Sequence, residues 1–388
     1  MHKVNLTAHN KVVLLECGAA YFPALIATID AAQTEVYLET YIFSLDTVGR
    51  SVKAALERAV ARGVKVRVIA DWLGSGRAVS RQLAREFKTA GVEFRSFNPW
   101  FRRGVARTHR KLCVVDQQRA FVGGININDD LYSDDQVCRA LPAPRWDFAV
   151  QVEGPLVAIM QREVELQWAR VGNLKFEARW LRFKGAATHL NAHSDAPVLA
   201  GLVVRDNLRN RRTIQREYLL ALAGAQRSAV LANPYFAPGR KLRDALARAA
   251  RRGIDVTLLI GVGQFRIQDA VAHSFYPKLL KSGVKLVEYR KTQLHAKVAV
   301  VDDGWATVGS SNCDGLSLFV NQEANAVIRD AVFSSQLREA VRRGVADGVV
   351  IDADAFAHIG WWQRRWYGAA YFLYQGVLRI ITLGKYAE

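Results

Sequence analysis

At 388 residues the chain is longer than one ordinary hydrophobic core supports, so two domains or a duplicated unit is the natural expectation. Half of the residues are hydrophobic, and 54 Lys and Arg against 36 Asp and Glu leave a surplus of +18, which favours an anionic partner such as a phospholipid surface or a nucleic acid. Four cysteines (Cys17, Cys113, Cys138 and Cys313) without CxxC spacing favour a reduced, cytosolic setting over a disulfide framework.

The opening stretch, MHKVNLTAHNKVVLLECG, has no long apolar core or small-residue cleavage site, so no secretory signal is read there. Residues 34–71 read as strand, loop, amphipathic helix, Arg-Gly turn and strand, and AGVEFRSF at 90–97 as a further strand. HRKLCVVDQQRAFVGGIN follows at 109–126. Residues 171–198 lose clear periodicity and read as a linker. The order then repeats. Residues 227–261 match 34–71, SGVKLVEY at 282–289 answers AGVEFRSF, and HAKVAVVDDGWATVGSSN at 295–312 answers the first motif. Alternating strands and helices in two equivalent halves predict α/β sheets with helices on their faces. The expected segments are 1–175 and 199–350, a linker at 176–198 and a tail at 351–388.

Side by side, the motifs are His109, Lys111, Asp116, Gly123, Gly124, Asn126 and His295, Lys297, Asp302, Gly309, Ser310, Asn312, with every interval the same. If His and Lys lie on a strand, two residues apart, they emerge on one face, so each half offers a titratable group beside a fixed cation. The glycines let the next turn approach closely enough for Asn126 or Asn312 to reach the same spot. Facing halves would gather two histidines, two lysines and two asparagines around one cavity. Such a set suits a phosphodiester. Ammonium and amide groups stabilise charge on the phosphoryl oxygens, one imidazole attacks phosphorus, and the other protonates the leaving alkoxide. The set needs neither metal nor cofactor, and the remaining histidines show no metal-like grouping.

These motifs resemble the phospholipase D superfamily, whose HxK, Asp and GSxN pattern occurs here twice, within a likeness spanning roughly residues 10–346. The resemblance implies two similar phospholipase D-like α/β/α sandwich halves forming one pseudo-twofold catalytic unit. It also implies a carboxylate beyond each motif that crosses to orient the opposite histidine: Glu323 for His109 and Asp147 for His295. Asp116 and Asp302 complete the catalytic motif as supports of its strand and turn. Asn126, Asn312 and Ser310 are the expected phosphate-binding groups. Within the superfamily, LETYIF, WDFAVQVEGP, NPYFAP and SSNCDGLSLFVNQEAN make the chain similar to bacterial cardiolipin synthases of the short type without N-terminal spanning helices. The implied reaction passes a phosphatidyl group through a phospho-histidine to a hydroxyl of phosphatidylglycerol or a related polyol lipid. A phospholipase D-type lipid hydrolase, and further off a nuclease of the same superfamily, are the alternatives. Gly124 departs from the pattern, since the second motif has Ser310 there.

The tail gathers Trp361, Trp362, Trp366, Tyr367, Tyr371, Phe372 and Tyr374 around Arg364, Arg365, Arg379 and Lys385. Its uncharged run from Trp366 to Leu378 is shorter than the ~20 residues of a spanning helix, so it reads as an interfacial helix on an anionic leaflet. The expected partners are therefore anionic phospholipids at a membrane surface, phosphatidylglycerol first and phosphatidylethanolamine or cardiolipin as further candidates, with no nucleic acid. The expected location is peripheral, on the cytoplasmic face of the bacterial inner membrane.

Overall fold

The computed structural model describes residues 4–134, 138–172, 198–206 and 210–381; the expected linker at 176–198, apart from Val198, and Lys385 of the tail lie outside them. The strands of the first half are β1 (Thr7–Glu16), β2 (Glu35–Thr40), β3 (Lys65–Asp71), β4 (Glu93–Phe97), β5 (Arg102–Val105), β6 (Leu112–Val115), β7 (Arg119–Gly123) and β8 (Phe148–Glu153). Those of the second are β9 (Val198–Arg205), β10 (Ser228–Asn233), β11 (Asp255–Gly261), β12 (Lys285–Tyr289), β13 (Val298–Val301), β14 (Trp305–Gly309), β15 (Glu323–Arg329) and β16 (Val349–Val350). Read from its outer edge, the first half runs β4-β3-β2-β6-β7-β8-β1, and from its own edge the second runs β16-β12-β11-β10-β13-β14-β15-β9. Apart from β16, and from β5, which lies outside the sheet, each strand has its counterpart at the same place. β1 pairs with β9, joining Thr7 to Ala200 and Asn10 to Val198, so the two sheets are continuous.

Helices α1 (Cys17–Asp30), α2 (Thr47–Ala61), α3 (Arg77–Ala90) and α4 (Leu156–Val171) belong to the first half. The second carries α5 (Thr213–Gly224), α6 (Arg240–Arg251), α7 (Arg266–His273), α8 (Tyr276–Lys281), α9 (Gly315–Phe319), α10 (Ala331–Ala346), α11 (Ala353–Ala357) and α12 (Trp361–Ile381). Their faces follow from sequence spacing. In α6, Leu242, Ala245, Leu246 and Ala249 recur at helical intervals and are buried, while Arg240, Lys241, Arg248 and Arg251 face solvent. The Arg-Gly turns are alike as well. Gly63 and Gly253 both take φ +87°, a conformation strained for other residues, and Arg62 and Arg252 donate to carbonyls of Ile29 and Leu222.

Three apolar layers result. Leu25, Leu56 and Phe87 cover the outer face of the first sheet, and Tyr218, Leu246 and Tyr276 that of the second. The third layer lies between the halves. There Val114, Val122 and Phe148 share one cluster with Val298, Val308 and Ala326, closed by Met160 of α4 and Leu337 of α10. Strands buried on both faces explain why LCVV and VAVV are unbroken apolar runs. A shared core also fixes the two motifs relative to one another, which the chemistry below requires.

Candidate active site

The HxK pairs do not lie inside strands, as their spacing suggested. β6 and β13 begin at Leu112 and Val298, and the histidines stand just ahead of them. Their pairing is to the opposite half. The His109 backbone N–H donates to the Gln322 carbonyl at 2.9 Å, and that of His295 to the Trp146 carbonyl at 2.9 Å. Isolated bridges join Thr108 with Gln322 and Trp146 with Leu294. Gln322 and Trp146 immediately precede Glu323 and Asp147. Each crossover bond therefore delivers a carboxylate to the histidine it must meet.

The side chains follow suit. His109 Nδ1 lies 3.1 Å from Glu323 Oε2 and 3.0 Å from the Ser310 carbonyl oxygen, and its Nε2 has no polar partner among the described residues. His295 Nδ1 lies 2.5 Å from Asp147 Oδ2. Its Nε2 is 3.3 Å from a second carboxylate, Asp134 Oδ2. A carboxylate on Nδ1 accepts the proton there, which leaves Nε2 as the reacting nitrogen and steadies the imidazolium.

Lys111 donates to the His109 carbonyl at 2.8 Å, and Lys297 to that of His295, so each lysine folds back beneath its own histidine. Lys297 also stands 3.7 Å from Asp147. Asn126 accepts from the Ile42 N–H at 3.3 Å, while its buried Nδ2 has no hydrogen-bond partner among the described residues and stays available as a donor. Asn312 hydrogen-bonds the Asp314 carboxylate, which in turn caps α9 through the Ser317 N–H. The Ser310 hydroxyl, an expected phosphate ligand, donates to Glu323 instead. At the matching Gly124 there is no room for a side chain: a Cβ would stand 2.3 Å from Asp147 Oδ1.

Asp116 and Asp302, the acidic members of the motifs, are not in the cavity. Asp116 accepts from the N–H groups of Gln33, Thr34 and Glu35, and Asp302 from those of Gln226, Arg227 and Ser228, all at 2.8–3.0 Å. Each clamps the start of β2 or β10. Four strand residues separate each from its lysine, roughly 16 Å of chain, so these two belong to the frame and not to the chemistry.

Burial lowers the His109 pKa below its ordinary range, assisted by Lys111 and Lys297 against the upward pull of Glu323. Burial and Lys297 bring His295 down to about 4, against Asp147 and Asp134. Burial and Lys297 push Lys111 down to about 7. Burial acts to raise the Asp147 carboxyl, but Lys297 and His295 together hold it below its usual range. Buried cations that destabilise one another favour an arriving anion, which would raise both lysines and His295 as it binds.

Two residues near the histidines were not singled out as site groups. Asp134 lies in NDDLYSDD after the first motif, a stretch with no counterpart after the second, so comparing the repeats gives no signal for it. Tyr41, at a place matched by Tyr235, reads from sequence as core; its ring meets His109 edge-on with centroids 4.9 Å apart, and Lys111 Nζ lies 5.3 Å from its centre.

A family model described as "Cardiolipin synthase, PLD-like domain" matches residues 25–136 and 218–344. Cardiolipin synthase B of Shigella flexneri and of Escherichia coli strain K12 are each 40% identical over 362 residues, covering 91% of this chain and 85% of theirs. Cardiolipin synthase A of Pseudomonas putida strain W619 is 31% identical over 85% of this chain and 67% of its own. Among solved structures, phosphatidylserine synthase of Haemophilus influenzae Rd KW20 matches with a TM-score of 0.69 at 14% identity, covering 95% of this chain and 93% of that one. Polyphosphate kinase of Porphyromonas gingivalis matches at 0.55 with 13% identity, over 95% and 56%. At these identities the two structures speak for the fold alone.

Proposed function

The chain belongs to the phospholipase D-like cardiolipin synthase family, and we propose that it carries out that family's phosphatidyl transfer through His109 as nucleophile and His295 as acid and base. It is an enzyme of the phospholipase D superfamily and a phospholipid phosphatidyltransferase. The observation that carries the assignment of roles is the contrast at the two Nε2 atoms: that of His109 has no polar partner among the described residues, whereas that of His295 faces Asp134.

In the first step His109 Nε2 attacks the phosphorus of a phospholipid. The bond to the leaving alkoxide breaks, and that oxygen takes a proton from His295. Lys111, Lys297 and the Asn126 amide meet the charge that builds on the phosphoryl oxygens. In the second step a hydroxyl of phosphatidylglycerol or a related polyol lipid gives its proton to His295. Its oxygen attacks phosphorus, and the P–N bond breaks with the electron pair returning to His109. Glu323 and Asp147 hold the rings throughout. Incubating the protein with phosphatidylglycerol vesicles and identifying products by mass spectrometry tests this. Cardiolipin and glycerol are expected; phosphatidic acid as the main product would make the enzyme a hydrolase, and no lipid turnover would overturn the reading.

The tail and the rim of the site support a peripheral place on an anionic membrane, and the cytoplasmic face is the side we propose for it. No described helix is long and apolar enough to cross a membrane. On α12, Tyr367, Ala370 and Leu378 are buried against the protein, while Trp362, Trp366, Leu373 and Ile380 form an exposed apolar stripe flanked by Arg365 and Arg379. A cavity of about 730 Å³ between α12 and α7–α8 holds none of the motif residues. The tail does touch the second motif's loop, since the Gly315 N–H donates to the Tyr374 hydroxyl at 2.8 Å, so its inner face is structural and its outer face is left to meet the membrane we propose. At the mouth of the first half, Leu73, Trp100, Phe101 and Val105 are exposed, with Arg77 over the Trp100 ring and Arg107 over that of Phe101. Glutamate in place of both Arg364 and Arg365 should weaken binding to anionic vesicles, less so at high salt, where screening acts within roughly 8–10 Å. Vesicle binding equal to that of the unaltered protein would refute the tail's role.

A further inference from the structure

We propose that Asp134 is the acceptor-binding residue that selects a vicinal diol, the headgroup chemistry of a glycerol-bearing lipid. This rests on the transfer reading above and adds a basis for choosing the acceptor. Asp134 is half-buried, its side chain 10% exposed, and its two oxygens have different tasks. Oδ1 accepts from the Gln293 side chain at 2.5 Å and from the Gln264 side chain at 3.1 Å. Gln264 is itself fixed by the Tyr235 hydroxyl, which donates to its Oε1 at 2.9 Å. Oδ2 is directed to His295 Nε2 at 3.3 Å. The carboxyl is held well below its ordinary range: burial would raise it, but His295, Arg145, Gln293 and Lys297 prevail, so it is a charged acceptor.

Its position relative to the chemistry carries the inference. His295 already has Asp147 to orient its ring, so a second carboxylate is not needed for that purpose. A carboxylate beside the very nitrogen that must accept the acceptor's proton would compete with catalysis unless the acceptor uses it. A 1,2-diol can do so. One hydroxyl donates to Nε2, loses its proton there and attacks phosphorus, while the neighbouring hydroxyl donates to Asp134 Oδ2. The same buried cluster contains Gln293 Oε1, an acceptor with no hydrogen-bond partner among the described residues, suited to a further hydroxyl of a polyol. A simple alcohol has a single O–H, which it gives to Nε2, so it gains nothing from Asp134. The second half has no such group after its own motif, where Val320 occupies the matching position, which gives the cavity an acceptor side and a donor side.

The test uses the full chain with phosphatidylglycerol vesicles and equal concentrations of 1,2-propanediol, 1,3-propanediol or 1-propanol, and reads each phosphatidyl-alcohol by mass spectrometry. The wild type should favour 1,2-propanediol over 1-propanol about tenfold, the worth of a hydrogen bond to a charged acceptor, with 1,3-propanediol between them. In Asp134→Asn the ratio should fall close to one, whatever happens to the overall rate. A merely structural Asp134 would lower all three products together and leave their ratio alone. An unchanged ratio in the variant overturns the inference, and so does a wild type without diol preference, a result independent of how the variant folds. If the wild type forms no phosphatidyl-alcohol at all, phosphatidyl transfer itself falls, and the inference with it.

Discussion

His109 leans on Glu323, a carboxylate shared with the Ser310 hydroxyl, and keeps its Nε2 open; His295 is held between Asp147 and Asp134 and has Gly124 where the other half has Ser310. The difference begins with one methylene. Asp147 is shorter than Glu323, so its carboxylate sits close to its own backbone, accepting from the Phe148 N–H and filling the space that a side chain at 124 would need. The duplicated frame therefore places two like imidazoles face to face, and small changes around them divide the work. One half offers an unencumbered nucleophile. The other surrounds its histidine with negative charge, as an acid requires.

The hardest test of that division is to remove either histidine. His109→Ala and His295→Ala should each lower phosphatidyl transfer by about 10⁴-fold or more, and the double variant little further, because nucleophile and acid act in series. Rates measured on folded protein, with circular dichroism as the control, decide it; near wild-type transfer in one single variant would break the two-histidine account.

The carboxylates sharpen the comparison. Glu323→Gln and Asp147→Asn should each reduce kcat by about 10²-fold and move opposite limbs of its pH profile. His109 must be neutral to attack, so activity is present above its pKa and lost as pH falls through it. Glu323 raises that pKa; without its charge the acid limb moves to lower pH. His295 must be protonated in the complex, so activity is lost as pH rises through its pKa. Asp147 raises that one, and Asp147→Asn brings the basic limb down. If the two variants exchange limbs, the roles of the halves are reversed.

The smallest effects concern the position at which the motifs differ. Gly124→Ser forces a Cβ against the Asp147 carboxylate and should cost about 1–3 kcal/mol of stability by overpacking. Ser310→Gly removes the hydroxyl that donates to Glu323 and accepts from the Ala324 N–H at 3.0 Å, and should cost about 1–3 kcal/mol. Thermal unfolding reads both, and a Gly124→Ser variant as stable as the unaltered protein would mean that the halves are less distinct than the geometry states.

Much of this was legible before any coordinates. Identical intervals in the two motifs expose the duplication, and unbroken apolar runs such as LCVV mark strands covered on both faces. The orienting carboxylates came from family resemblance alone, because what delivers them is the backbone pairing of Thr108 with Gln322 and of Trp146 with Leu294, long-range bridges that no local pattern encodes. Asp116 and Asp302 read from the motif as supports of its strand and turn, and the strand carries them away from the histidines to clamp β2 and β10. Asp134 was invisible for a different reason. Repeats reveal what is shared, and Asp134 belongs to what the halves do not share.

The central claim is that His109 carries the phosphoryl group. Rapid quenching of turnover of a phosphatidylglycerol radiolabelled at phosphorus into denaturing detergent at alkaline pH, followed by peptide mapping under conditions that preserve phospho-histidine, measures it directly. The account predicts label on the peptide containing His109 and none on that containing His295, with more label retained in His295→Ala, if a reactive leaving group is used, because the second step then lacks its base. Label on His295 would contradict it.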